Sequence, residues 1–296
     1  MNNDYLFNNY LNLAQNCKDN NDSINALKFY KKAYNMPQGQ TDLELILDIA
    51  LIYDESGFKD EAIKMYKTAL NIDSSYANAY YGLAIIYDDM KDYENAIHYY
   101  KQAIKYDPNY DDAYFFLGCI YEDMDDMENA IINYQKTISI NPNYLWAFSN
   151  IGCILEKQNK DSEAIIYFDK ALALDNNNYR LLYNKGVALK KLDRFAEAEE
   201  YYMKSIKANP HFPSSYLNLA VMYKEKNDFD TAIKFLSDGI QNNPTTAFLY
   251  YNRGCTFANI GNLELAKIDI DKSIELDDFF IEYSKKDIDL QKLYEL

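Results

Sequence analysis

Ala77 to Tyr110 reads ANAYYGLAIIYDDMKDYENAIHYYKQAIKYDPNY, and this stretch decides the fold. Its first half places Tyr80, Leu83, Ala84 and Tyr87 at helical spacing, and its second half does the same with Ala96, Tyr99, Tyr100, Ala103 and Ile104. Two amphipathic helices are predicted. Met90-Lys91-Asp92-Tyr93 forms a short polar turn between them, and Asp107-Pro108-Asn109 ends the second helix because proline cannot continue it. Small side chains at Ala84 and Ala96 let the helices approach closely, while Tyr80, Tyr87 and Tyr100 fill the space between layers. The unit is a helical hairpin.

The same hairpin recurs along the chain. Ala26, Ala62, Ala96, Ala130, Ala164, Ala198, Ala232 and Ala266 are separated by 36 residues once and by 34 residues six times. A period in this range marks stacked supersecondary units. The fourth place of each unit holds Tyr10, Ile46, Tyr80, Tyr114, Phe148, Leu182, Tyr216 and Tyr250, all bulky. The eighth holds only alanine or glycine: Ala14, Ala50, Ala84, Gly118, Gly152, Gly186, Ala220 and Gly254. The twenty-fourth is large again, from Tyr30 through Tyr66, Tyr100, Tyr134, Phe168, Tyr202 and Leu236 to Ile270.

This alternation resembles the tetratricopeptide repeat, whose pattern is an aromatic, Leu-Gly, Tyr, Ala, an aromatic and Pro over 34 residues. Eight units follow: 7–42, 43–76, 77–110, 111–144, 145–178, 179–212, 213–246 and 247–280. Residues 1–6 are read as an N-terminal extension and 281–296 as a polar-faced capping helix. Proline is replaced by Ser74, Asn176 and Asp278. The resemblance implies an all-α fold, a right-handed superhelical solenoid of antiparallel helix pairs.

Composition narrows the function. A formal net charge of −16 disfavours binding to phosphate backbones, so nucleic acid is not an expected partner. No run approaches 18 apolar residues, and the opening MNNDYLFNNY lacks the charge and apolar stretch of an export signal. Four cysteines without a CxxC or Cys/His cluster read as free thiols in a reducing compartment, and a cytoplasmic, membrane-free protein is expected. The 30 tyrosines and 15 phenylalanines supply much of the bulk for a continuous core.

In the family, first helices line a concave groove that binds extended peptides or partner helices. Here the sixth place is Asn12, Asp48, Gly82 and Phe116, then Asn150, Asn184, Asn218 and Asn252. The four consecutive asparagines resemble the ladder lining the repeats of O-linked N-acetylglucosamine transferase, where amides hold peptide backbone. A carboxamide both donates and accepts. Helices ~8–10 Å apart meet an extended peptide about every three residues. Asparagine is equally an ordinary polar filler at an exposed helical place.

Charge along the same groove divides. Asp54-Glu55, Asp88-Asp89 and Glu122-Asp123 occupy the twelfth and thirteenth places of repeats 2 to 4, whereas repeat 6 has Lys190-Lys191 there. Lys157, Arg180, Lys185 and Lys224 add to the basic side. Residues 43–144 carry 7 Lys and Arg against 19 Asp and Glu, while 145–246 carry 13 of each. Such a field orients a charged ligand, or else the acidic half is a solvated face. Tyr81, Phe115, Tyr183 and Tyr251 at the fifth place would put aromatic area into the groove, as would Trp146 and Phe248 at the second.

Catalytic machinery is not visible. His98 and His211 lie far apart in the register, and no GxGxxG, P-loop or nucleophile elbow occurs. Neither a metal nor a cofactor is expected. The clamp with which related repeats grip chaperone carboxylates needs Lys at the fifth place and Asn at the ninth, and neither is present. The expected function is a non-catalytic scaffold binding an extended peptide segment of a protein partner. The alternatives are a receptor for a small signalling peptide, or the recruiting subunit of a separate glycosyltransferase or protease. Oligomeric state stays open.

Overall fold

The protein is described by a computed structural model over residues 3–294, and all regular structure among these residues is helical. Two compact units divide the chain, Met1–Ala147 and Phe148–Leu296. Unit 1 contains α1 (Asn3–Asp19), α2 (Ser23–Tyr34), α3 (Leu43–Glu55), α4 (Lys59–Ile72), α5 (Ala77–Asp89), α6 (Tyr93–Tyr106), α7 (Asp111–Asp123) and α8 (Met127–Ile140). The next helix, α9 (Leu145–Lys157), begins at the division. Unit 2 continues with α10 (Asp161–Leu174), α11 (Tyr179–Lys191), α12 (Phe195–Ala208), α13 (Pro213–Glu225), α14 (Phe229–Asn242), α15 (Ala247–Asn259) and α16 (Leu263–Leu276). It ends with α17 (Phe279–Lys286), a 3-10 turn at Ile288–Leu290 and α18 (Gln291–Tyr294).

Within each unit a first helix packs on its own second helix, and that second helix packs on the first helix of the following pair. The turn chemistry recurs with the period. The fifteenth place of every repeat adopts positive φ, with glycine at Gly57 and Gly261 and asparagine or aspartate at Asn21, Asp125, Asn159, Asp193 and Asn227. Lys91, at φ 59°, is the exception in residue type. This left-handed residue reverses the chain and satisfies terminal carbonyls, as when Asp92 N donates to Tyr87 O at 2.9 Å. The next place caps the second helix: Asp22, Asp92, Asp126, Asp228 and Asn262 each accept a backbone N–H three residues on.

Packing explains the alanine period. All eight alanines from Ala26 to Ala266 are completely buried. At the facing eighth place, a Cβ added to Gly118 would lie 2.7 Å from the Tyr134 ring, and one added to Gly186 would lie 2.7 Å from Tyr202. A large ring at the twenty-fourth place therefore demands a small residue at the eighth. The two additional residues of the first repeat fold into a 3-10 turn, Pro37–Thr41. Its Gly39 is tucked so closely on Ala33 that a Cβ would meet the Ala33 carbonyl oxygen at 2.2 Å.

The chain ends differ from the sequence reading. Helix α1 starts at Asn3, inside the stretch taken as an extension, and residues 1–2 lie outside the described residues. The tail is not one polar-faced helix. It breaks after Lys286, and Phe279, Ile281, Tyr283 and Ile288 are exposed on it. Residues 295–296 of the expected capping helix lie outside the described residues. Asp287 causes the break: its backbone is extended, at φ −77° and ψ 124°, and its side chain accepts from Asp289 N instead.

Candidate functional site

The four ladder asparagines sit on first helices of unit 2 and are all half-buried. Asn184 on α11 donates through Nδ2 to Cys153 Sγ on α9 at 3.3 Å. Asn218 on α13 donates to the hydroxyls of Tyr183 on α11, at 3.1 Å, and Tyr202 on α12, at 3.3 Å. Asn252 on α15 turns back to the Phe248 carbonyl at 2.7 Å. The amide nitrogens of Asn184 and Asn218 thus reach the preceding repeat, so the donor half of each carboxamide is already engaged. Between α9 and α11 lies a cavity of about 190 Å3 lined by Cys153, Glu156, Phe168, Tyr183, Asn184 and Val187. Tyr183, Asn184 and Asn218 therefore converge, whereas Asn150 begins the series one repeat earlier.

The basic side is corrected by the ion pairs. Lys190 Nζ lies 2.8 Å from Glu225 of the following repeat, and Lys191 pairs with Glu156 of the preceding one. Lys191 also donates to the Glu156 carbonyl at 3.1 Å. The charges tie repeats together, which removes the unpaired positive field expected from the sequence. Arg180 is exposed at the start of α11, where its Nε donates to the Tyr179 hydroxyl at 3.1 Å, and Lys157 is exposed at the end of α9. The acidic pairs of unit 1 are stitched in the same manner. Lys59 bridges Asp54 at 2.8 Å and Asp89 at 2.7 Å, and the Tyr134 hydroxyl donates to Glu122 at 3.0 Å. Burial holds the Asp88 carboxyl above the usual carboxylate range, with nearby Asp123 and Asp89 adding to it against the opposing Lys91.

Fifth-place aromatics are largely packing elements. Tyr81 stacks on Tyr110 and Tyr251 on Phe280, each with ring centroids 4.7 Å apart, and Phe115 packs at a tilt on Tyr144 at the same distance of 4.7 Å. Phe115 and Tyr251 are buried, so these two do not offer exposed aromatic area. Each rests on the last residue of its own repeat, whose ring the thirty-fourth place supplies. Tyr183 is half-buried between Tyr202 and Phe212 and keeps its hydroxyl at Asn218.

Two cations went unassigned a structural role in the sequence. At the seventh place, where unit 1 has Ile49, Leu83 and Leu117, unit 2 has Lys185 and Arg253. Lys185 is buried, paired with Asp169, and donates to the Tyr201 hydroxyl at 2.8 Å. Arg253 grips Asp269 with two hydrogen bonds, of 2.7 and 2.8 Å, and donates to Ser237 at 3.0 Å. Both cations reach sixteen residues forward and sixteen back. A charge at an otherwise aliphatic place was the legible signal.

Family models described as tetratricopeptide repeat match residues 77–110 and 179–212, 111–144 and 249–279, 146–178, and 201–234, and a further model described as TPR repeat matches 51–91. Among solved structures, MamA is 30% identical, with 55% of this chain and 95% of that chain covered and a TM-score of 0.50. PilW, described as a type IV pilus biogenesis factor, is 24% identical over 74% of this chain and 98% of its own, with a TM-score of 0.58. YrrB, described as a TPR protein with an unusual peptide-binding site, is 23% identical over 63% and 95%, with a TM-score of 0.53. No curated protein matches. Repeated hairpins, the reciprocal small and large places, and matches along most of the sequence agree: this chain belongs to the tetratricopeptide repeat family.

Proposed function

We propose that the first-helix face of unit 2 binds an extended peptide segment of a protein partner, without catalysis by this chain. The carrying observation is that Tyr183 and Asn184 line an open cavity and Asn218 donates to that same Tyr183, with both amide nitrogens directed at the preceding repeat. That orientation presents the carbonyl oxygens as acceptors for peptide N–H groups. Each such bond contributes ~0.5–1.5 kcal/mol net, so recognition is spread along the face and tolerant of peptide sequence. The fold is shared with YrrB, whose description includes a peptide-binding site. Ladder asparagines, with Lys157 and Arg180 at the rim, form the proposed site.

The test is a displayed library of random decapeptides panned against the chain and against Asn150→Ala/Asn184→Ala/Asn218→Ala. Selected peptides should lose affinity for the triple variant across unrelated sequences, with the helical circular dichroism signal unchanged. Equal binding to both proteins would return the asparagines to ordinary polar filler.

A further inference from the structure

The last repeat differs from its neighbours in what covers it. Its fifth, ninth and twelfth places, Tyr251, Cys255 and Ala258, are buried, whereas Tyr183, Val187 and Lys190 of repeat 6 and Leu217, Val221 and Lys224 of repeat 7 are half-buried. The cover is the chain's own Asp287-Ile288-Asp289-Leu290. Asp287 accepts from the Tyr251 hydroxyl and lies 3.8 Å from Cys255 Sγ. Leu290 is completely buried in the cluster that contains Tyr251, Cys255 and Ala258. Asp289 pairs with Lys224 at 2.6 Å. Lys224 belongs to repeat 7, so the segment passes over the whole last repeat instead of merely closing its end.

The segment sits there as a ligand would. Ile288 is 79% exposed between two carboxylates that both face the repeats, so the residues on either side of it do the binding. A tight turn, with Leu290 N donating to Asp287 O at 3.1 Å, brings the leucine into line with them. The Lys224–Asp289 pair is about one-third exposed on both sides, which keeps it weak enough to exchange. We propose that the first-helix face of repeats 7 and 8 is a receptor site for a partner's acidic segment of the pattern Asp-x-Asp-Leu, held by the chain's own Asp287–Leu290 until that segment displaces it. This rests on the reading that first helices of unit 2 bind peptide, but it uses Lys224, Tyr251 and Cys255 in place of the ladder.

A fluorescent synthetic peptide with the sequence of residues 286–291, KDIDLQ, serves as the probe on the intact chain. Asp287→Asn/Asp289→Asn frees the site, so the probe should bind this variant about tenfold more tightly than the natural chain, because the competent fraction rises. Adding Lys224→Gln should remove the gain. Alkylation of Cys255, read by mass spectrometry, should accelerate by a similar factor in the double variant while Cys17 is unchanged, and probe should restore protection. Asp289→Asn alone leaves Leu290 and Asp287 in place and should give a smaller change of the same sign, which guards against a folding defect at the chain end. Equal probe affinity for natural and double-variant chains, or a gain that survives Lys224→Gln, would overturn the proposal. Asn184→Ala/Asn218→Ala should leave probe binding intact, so failure of the ladder and failure of this site are separately visible.

Discussion

The two units use one scaffold and fill it differently. At the sixth place unit 1 has Asn12 only in its first repeat and then Asp48, Gly82 and Phe116, and around these Tyr81, Tyr100, Tyr110 and Phe116 form a run of ring contacts. Unit 2 has asparagine at that place throughout, and the amides hydrogen-bond to Cys153, Tyr183 and Tyr202. At the seventh place unit 1 is aliphatic throughout, whereas unit 2 alternates Ile151 and Leu219 with Lys185 and Arg253 in ion pairs. The lesson is that the period determines shape through the small and large places, while the places between them are free to make one unit a carbon-packed stack and the other a polar one.

Alkaline pH should separate the units most. Burial raises the phenols of Tyr66, Tyr81, Tyr100, Tyr110 and Tyr144 above their ordinary value, and carboxylates add to it: Asp54 for Tyr66, Asp88 for Tyr100, and Asp112 for the other three. A phenol raised on folding contributes stability that is complete below its unfolded value near pH 10 and is lost as pH climbs above it. Tyr183, Tyr202, Tyr216, Tyr223 and Tyr251 of unit 2 are raised as well, but unit 1 adds Tyr30, Tyr80 and Tyr99 to its five, so unit 1 should unfold first as pH climbs above about 10. Tyrosinate absorbance should lag the unfolded-state titration and then rise together with loss of helix. Unfolding of both units at one pH would break the distinction.

Next in size is Asp269→Ala, which leaves the Arg253 guanidinium without its carboxylate and should cost about 3 kcal/mol. Arg253→Leu/Asp269→Leu, which gives repeat 8 the aliphatic seventh place of unit 1, should recover most of that loss in denaturant unfolding. Ala130→Leu in unit 1 and Ala198→Leu in unit 2 should each cost roughly 1–3 kcal/mol by overpacking. Equal costs would confirm that the alanine place is indifferent to what surrounds it; an unchanged midpoint for either would contradict the packing.

The smallest effects should differ in sign. Tyr202 accepts from Asn218, and Tyr202→Phe should cost about 1 kcal/mol. Tyr100, at the same place in unit 1, has a buried hydroxyl without a hydrogen-bond partner among the described residues, so Tyr100→Phe should be neutral or stabilising by up to ~1 kcal/mol. Lys91→Gly should stabilise unit 1 by about 0.5–1 kcal/mol, because only Lys91 among the eight positive-φ turn residues is neither glycine nor Asn/Asp. Paired chemical denaturation of these variants checks all three.

Much was legible because the determinants are local. A hairpin's helices, their capping aspartates and the exchange of small for large between the eighth and twenty-fourth places are written within 34 residues, then repeated until chance agreement is impossible. The candidate site was half legible. Asn184, Asn218 and Tyr183 could be placed on one face by register, but not which half of each amide was engaged. Lys190 and Lys191 read as a basic patch because the residues that neutralise them, Glu225 and Glu156, are each thirty-five positions away in neighbouring repeats.

By itself, then, the sequence determined the helix pairs, their register and the alanine contact at each hairpin, since backbone propensity and periodic burial act over a few turns. Tertiary structure alone decided which charges are paired, which fifth-place rings are buried, and that Asp287–Leu290 returns across the last repeat to Lys224. Those outcomes depend on where side chains from distant positions meet. A pattern that repeats identically cannot encode them, because they arise at the places where the copies differ.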